Sequence, residues 1–293
     1  MRFGYVTMNS ASGIRPARAA RELEDRGFDS MWVPEHSHIP VSRESAYPSG
    51  GELPSGYFHM MSPLVALAAA SAVTERLLLG TAVCLLLEHD LLDLATQAST
   101  LDRISDGRLL LGVGVGWNAE ELANHRPDLP FRQRYRAMKE RVEALRTLWQ
   151  DERASFDGTW DRFTPSVVEP KPTNGTVPIV LGNWGPLGVR HAAEYADHWM
   201  PIDGMLLGDD GRPDVAGWVA RFREMVASFG RDPDRVGISL LLFSKPTPAR
   251  IERYAALGIE RLVVSAPTAE LVPPDFTLSH LDEVTPILQP YMS

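Results

Sequence analysis

A chain of 293 residues is long enough for two domains or for one large α/β barrel, and it buries about three quarters of its unfolded surface without staples. A formal net charge of −9 with no basic stripe excludes a general nucleic-acid binder, and the one cysteine, Cys84, excludes an internal disulfide framework or a cysteine-rich metal site. The longest apolar run, 63–73, is too short to span a bilayer, and strand-like sequence follows Arg2 directly, so neither membrane span nor signal peptide is expected and a cytoplasmic protein is.

In chain order, 3–6 reads as a first strand, and 16–27 as an amphipathic helix that begins at a proline and ends at a glycine. A second strand, 30–34, runs into Glu35-His36-Ser37-His38. From 39 to 62 no period is visible among the prolines, glycines, Tyr47, Tyr57 and Phe58, which marks a lid or binding loop. The helix 63–74 is apolar nearly all round and should be buried, in part against a second subunit. A third strand at 77–87 and a helix at 91–104 follow. The fourth strand, 108–116, carries Gly112, Gly114 and Gly116, and Asn118 with Glu121 forms an approximate capping box for the next helix.

The pattern continues with a long helix at 132–150 and an insert at 154–172 containing a hairpin signal at 156–160. The fifth strand is 177–181, followed by the turn 182–185 and a helix to about 195. Then come a short sixth strand at 198–201, a loop at 203–213, a helix at 215–229, the seventh strand at 237–243, a helix at 248–257, the eighth strand at 261–265 and a last helix at 281–290. Eight strand–helix units without a composition break predict one domain over 1–293, a (β/α)8 TIM barrel with insertions after strands 2 and 4. An open doubly wound sheet is the alternative.

In such a barrel ligands bind where the strands end. Those positions hold Glu35, His36 and His38; Trp117, Asn118 and Glu120; Gly182, Asn183 and Trp184; and Asp203, Ser244, Lys245 and Ser265. The set is rich in aromatics and glycines and poor in charge, which suits a large planar ligand. A zinc site on His36 and His38 would need further ligands from other strand ends, and those ends offer Trp, Asn and Ser; no metal is expected. His36 suits a proton donor or polariser facing a substrate, with Glu35 as its orienting neighbour. Gly114-x-Gly116-x-x-Ala119 matches a dinucleotide fingerprint formally, but it follows the fourth strand, and Glu120 and Glu121 would repel a pyrophosphate. The neutral turn 182–185 suits a phosphate better. The small residues Gly80, Thr81 and Ala82 in the third strand mean either a bulge or a ring lying flat against the strand end. Trp32, Trp117 and Trp184 are open between core packing and ring stacking.

Five stretches carry a resemblance: 27–40 (Gly-Phe-Asp-Ser-Met-Trp-Val-Pro-Glu-His-Ser-His-Ile-Pro), 79–83, 101–108 (Leu-Asp-Arg-Ile-Ser-Asp-Gly-Arg), 112–118 and 178–183. In this order and spacing the chain resembles the luciferase-like monooxygenase superfamily, within it the oxidoreductases that use the deazaflavin coenzyme F420. The resemblance implies a barrel, usually a homodimer, with the ring at the carboxyl face. It also implies a bulge with a non-proline cis peptide at Ala82-Val83. Gly114, Val115, Gly116, Trp117 and Glu120 would border the ring and ribityl chain, Gly182 and Asn183 the phosphate, and His36 the reactive carbon. The sugar-phosphate dehydrogenases of this group carry an acid where this chain has Trp117, so that activity is not carried over.

The function these readings imply is hydride transfer between the deazaflavin C5 and a small organic substrate, with His36 moving the matching proton and no nucleic acid or membrane as partner. His38, Tyr57 and Trp184 would meet the substrate, Tyr47 and Phe58 would line its apolar side, and Arg43 would meet an anionic tail. The alternatives are an FMN-dependent monooxygenase and a non-catalytic flavin-binding barrel.

Overall fold

The computed structural model describes residues 1–292. Its main sheet joins nine parallel segments: β1 (Arg2–Val6), β2 (Ser30–Val33), β3 (Leu78–Thr81), β4 (Cys84–Leu85), β5 (Leu109–Gly114), β8 (Ile179–Leu181), β9 (His198–Trp199), β10 (Gly237–Leu242) and β11 (Arg261–Ser265). β3 and β4 are two halves of one strand, both paired with β5, and β1 pairs with β11. The result is a closed barrel of eight parallel strands, as the repeating units predict. The remaining two, β6 (Ala154–Asp157) and β7 (Arg162–Ser166), form an antiparallel hairpin outside it.

The helices follow the strands. They are α1 (Pro16–Asp25), α2 (Pro63–Ser71), α3 (Leu91–Ile104), α4 (Ala119–His125), α5 (Arg134–Gln150), α6 (Pro186–Tyr195), α7 (Val215–Ser228), α8 (Pro248–Ala256) and α9 (Pro274–Leu288). Their starts are chemically marked: Asp90, Asn118, Asp214 and Thr247 accept from first-turn amides, and Pro16, Pro63, Pro186, Pro248 and Pro274 need no donor there. α2 buries Leu64, Ala66, Leu67 and Ala70 but leaves Val65 71% exposed, so the fully buried helix expected there has one open side.

Inside the barrel Trp32 is fully buried among Val6, Leu110, Val180, Met200, Leu241 and Val263. Its ring occupies the space that a side chain at Gly80 would need, 2.2 Å from the ideal Cβ position, and its Nε1 donates to Ser30 Oγ at 3.0 Å. Trp32 is therefore core packing. The end of the barrel away from the strand tips is tied by buried charge. Arg261, 1% exposed, pairs with Asp29 at 2.7 Å, and the Arg108 guanidinium donates to carbonyls of Ser71, Thr74 and Leu77. Asp102 accepts from the Thr173 amide at 2.7 Å. The stretch 101–108 therefore serves the scaffold.

Three stretches depart most from expectation. The third strand breaks at the cis Ala82-Val83 bond and resumes for two residues before a 3-10 turn at 86–88. The last helix begins seven residues earlier than expected, because Pro274 supplies a helix start that precedes the apolar pattern. The insert at 39–62 contains a 3-10 turn, Ser55–His59, and is tied down: Gly56 N donates to Ala269 O, Asn9 Nδ2 to Met61 O, and Ser45 N to Glu120.

Where the third strand breaks, its neighbours carry glycine. The Thr81 carbonyl lies 1.8 Å from where a Cβ on Gly112 would sit, and Val83 lies 2.5 Å from one on Gly114 and 2.3 Å from one on Gly182. Replacing Gly112 by Ala should therefore cost about 3 kcal/mol, read as a lower denaturant midpoint at unchanged slope. An unchanged midpoint would show that the strands yield freely.

Candidate active site

Two adjoining cavities open at the strand tips. The first, about 400 Å3, is walled by Ala82, Val83 and Leu85 from the broken strand, Gly114–Trp117 after β5, Gly182–Trp184 after β8, His36, Tyr57, and Arg134 with Tyr135 from the start of α5. The second, about 330 Å3, shares Pro34, Tyr57, Met60 and Ala82 with it and extends over β1, β10 and β11. The break in β3/β4 thus forms floor for both.

His36 follows β2 and faces the first cavity. Its Nδ1 lies 2.6 Å from Glu121 Oε2, the two side chains being 6% and 1% exposed. A carboxylate there fixes the tautomer with the proton on Nδ1 and leaves Nε2 as the acceptor towards the cavity. Tyr57 and Trp117 flank the ring at centroid distances of 5.3 and 5.7 Å.

The neighbour expected to orient His36 does not do so. Glu35 also lines the first cavity, but its carboxylate accepts from the Leu85 amide at 2.7 Å and lies 2.9 Å from His89 Nε2. Burial alone would raise its carboxyl, but His89 and the Leu85 amide outweigh that and hold it below the ordinary range. Cys84 joins this pair, so a thiol, a carboxylate and an imidazole lie within 4.8 Å. Burial pushes the Cys84 thiol well up, with the Glu35 charge adding, and Glu35 is already partnered; the group is a hydrogen-bonded carboxylate and imidazole beside a protonated thiol.

His38 also points away, between Ser37 Oγ at 2.9 Å and Asn124 Nδ2 at 2.8 Å, and lines neither cavity. Glu120 does not border the cavity either: it accepts from the amides of Glu44 and Ser45 at 2.8 and 3.0 Å and so clamps the insert. Arg43 is exposed and Phe58 is 55% exposed, both outside the cavities. Ala82, Val83, Gly114, Val115, Gly116, Trp117, Gly182, Asn183, Trp184 and Tyr57 all lie in the first cavity's wall. Of the fourth strand's glycines, Gly112 and Gly114 face the broken strand, while Gly116 sits in the loop with φ +71°.

The wall near α6 has polar atoms without partners. Asn183 is 7% exposed, and neither its Oδ1 nor its Nδ2 has a hydrogen-bond partner; the same holds for Arg134 Nε. Arg134 was read in sequence only as part of a helix pattern. A half-buried guanidinium with its Nε unpartnered, an amide and the start of a ten-residue helix in one wall fit an anionic ligand group.

The family profile described as luciferase-like monooxygenase matches residues 1–281. The chain belongs to this luciferase-like family. An uncharacterized protein of Mycobacterium tuberculosis is 38% identical over 273 residues, covering 91% of this chain and 92% of the relative. The F420-dependent glucose-6-phosphate dehydrogenase of Nocardia farcinica is 31% identical over 214 residues, covering 71% of this chain and 60% of that protein. Among solved structures, a monooxygenase from Streptomyces bottropensis superposes with a TM-score of 0.76 at 18% identity over the whole of both chains. An F420-dependent secondary alcohol dehydrogenase, solved with an F420–acetone adduct, superposes at 0.73 with 19% identity over 98% of both. No helix among the described residues is long and apolar enough to cross a membrane.

Within this luciferase-like barrel, sequence reading missed Glu121 and Glu88. Glu121 is the second acidic residue of α4, and Glu88 lies in the 3-10 turn after β4. Burial pushes the Glu88 carboxyl up to about 9, with the charges of Glu121 and Glu35 adding. The folded protein then keeps a proton that the unfolded chain releases near its ordinary value of 4.5. This contribution is full below that value and is lost as pH rises towards about 9, at up to about 1.4 kcal/mol per pH unit. A Glu88→Gln variant should show a flatter fall of denaturation midpoint over that window; a slope identical to the parent's would contradict the assignment.

Proposed function

We propose that this chain is a coenzyme F420-dependent oxidoreductase acting on an uncharged, apolar organic substrate. When bound, the deazaflavin supplies C5 as the carbon that exchanges hydride with the substrate. The observation that supports the reading is His36: buried, fixed by Glu121 at 2.6 Å, with Nε2 free towards the cavity floored by Ala82 and Val83. A group so held can give or take the proton that accompanies hydride transfer to a carbonyl or from an alcohol. Gly114, Val115, Gly116 and Trp117 would border the ring, and Gly182, Asn183 and Arg134 would hold the phosphate. The named dehydrogenase relatives and the alcohol dehydrogenase neighbour lend the coenzyme its support, as expectation for this chain.

The second cavity argues for the substrate class. Its lining of Val6, Met8, Tyr47, Met60, Phe243 and their neighbours includes no charged side chain. A sugar phosphate would bury its charge there without a cation, which is costly. Tyr57, hydrogen-bonded to Tyr47 at 3.4 Å between the hydroxyls, stands between the cavities beside His36. We place the enzyme in the cytoplasm as one domain and as a homodimer, which sedimentation velocity checks.

Two substitutions separate binding from chemistry. His36→Ala should keep the coenzyme affinity and lower kcat by about 100-fold or more. Arg134→Ala should weaken coenzyme binding by about tenfold or more. Parental turnover in the histidine variant would overturn the proposal.

A further inference from the structure

The side of His36 that faces away from the cavity is built from acids. Glu35, Glu88 and Glu121 are 7%, 9% and 0% exposed, and they come from three different segments. Glu35 is hydrogen-bonded to His89, and Glu121 Oε2 to His36. That leaves Glu121 Oε1 and Glu88 Oε2, both buried and both without a hydrogen-bond donor. The 3-10 turn that carries Glu88 packs against α4, Glu88 and Glu121 are close enough to repel as carboxylates, and the one free oxygen named on each lacks a partner. One proton between them removes the repulsion and supplies the missing donor.

The far side of Glu88 is also occupied. Its Oε2 lies 3.8 Å from His125 Nε2, and His125, like Glu88 and His89, borders a third cavity of about 470 Å3 on the outer side of the barrel. His125 Nε2 is 2.8 Å from Ser37 Oγ, and its ring is packed against His38. This gives the His125–His38 pair a place that the coenzyme reading left empty.

We propose that Glu88 and Glu121 share one proton and connect His36 to His125, so that a proton moves between the inner cavity and the outer one without crossing the coenzyme's side. In the oxidising direction, His36 Nε2 takes the substrate's hydroxyl proton and its Nδ1 passes one to Glu121. Glu88 then gives the proton it held to His125, and Glu121 and Glu88 again hold one between them. One proton enters, one leaves and no electrons move through the path; His36 is left as its Nε2–H tautomer, which the reverse passage restores. Reduction runs it backwards. Glu88 and Glu121 are positioning and relay residues; they touch neither substrate nor coenzyme.

The groups that bear on Glu88 are Glu121 and His125 from α4, Glu35 from the loop after β2, Cys84 from β4, His89 beside it in sequence, and Arg141 from α5. His89 and Arg141 are taken by Glu35 and Asp161. Burial first and the nearby acids second hold the Glu88 proton at neutral pH, in keeping with the missing donor.

The shared proton is testable without coenzyme, whereas its use in turnover rests on the proposed reaction. The infrared spectrum of the apo-protein at neutral pH should contain a carbonyl band of a buried, protonated carboxyl, lost in Glu88→Gln and lost from the parent at high pH. With coenzyme, Glu88→Gln should bind normally but turn over about tenfold more slowly, with a shifted pH profile and partial rescue by added imidazole. Glu88→Asp should restore part of the rate. A parent spectrum without the band overturns the shared proton. A band that is present, with a Glu88→Gln pH profile identical to the parent's, overturns the relay. Absence of turnover with F420 in the parent would instead overturn the function proposed above and leave the infrared result to decide the pair.

Discussion

The mouth of this barrel depends on how one broken strand is received by its neighbours. Between Thr81 and Cys84 the chain leaves the sheet, and the Val83 side chain lies against β5 and the end of β8 where those strands carry Gly114 and Gly182. Any larger residue there would meet Val83 within 2.5 Å. The same break presents Ala82 to both cavities. Because interiors are close-packed, such an arrangement leaves few options for residues at these positions. The glycines that look like a phosphate cradle are mostly room made for a neighbouring strand.

Charge is separated along the barrel with equal economy. The interior under the cavities is apolar around Trp32, the end away from the strand tips is clamped by Arg261 and Arg108, and the acids are gathered behind His36. The two inner cavities divide the work: one wall offers an unpartnered amide and a half-buried guanidinium, the other no charge at all. That asymmetry fits a ligand with one anionic end lying beside an apolar one. The insert at 39–62 completes both cavities through Tyr47 and Tyr57, and Glu120, in clamping it, sets where those rings stand.

Much of this was legible in the sequence, and the failures have physical reasons. Alternating strands and helices determine the barrel, and residues at strand tips line its mouth, so the cavity wall could be named residue by residue. Chain adjacency was the weak guide. Glu35 and His38 flank His36 in sequence, yet the Glu35 carboxylate, at the cavity's edge, is taken up by His89 and the Leu85 amide, and His38 is held outside by Ser37 and Asn124. The true partner, Glu121, lies 85 positions on and was disguised as half of a capping box; Asn118 does accept from its amide, but its side chain reaches His36. Arg134 was hidden in the pattern of a long helix whose first turn happens to reach the cavity. Trp32 could be placed only once its neighbours Gly4 and Gly80 were seen to make room for it.

The central claim is that this site takes a deazaflavin and uses it to move hydride. The most direct test is to titrate the apo-protein in parallel with F420 and with FMN by fluorescence, then to mix each reduced complex with air-saturated buffer. The account predicts tighter binding of F420 and no oxygen consumption. Preferential binding of FMN, with rapid oxygen uptake by the reduced complex, would contradict it.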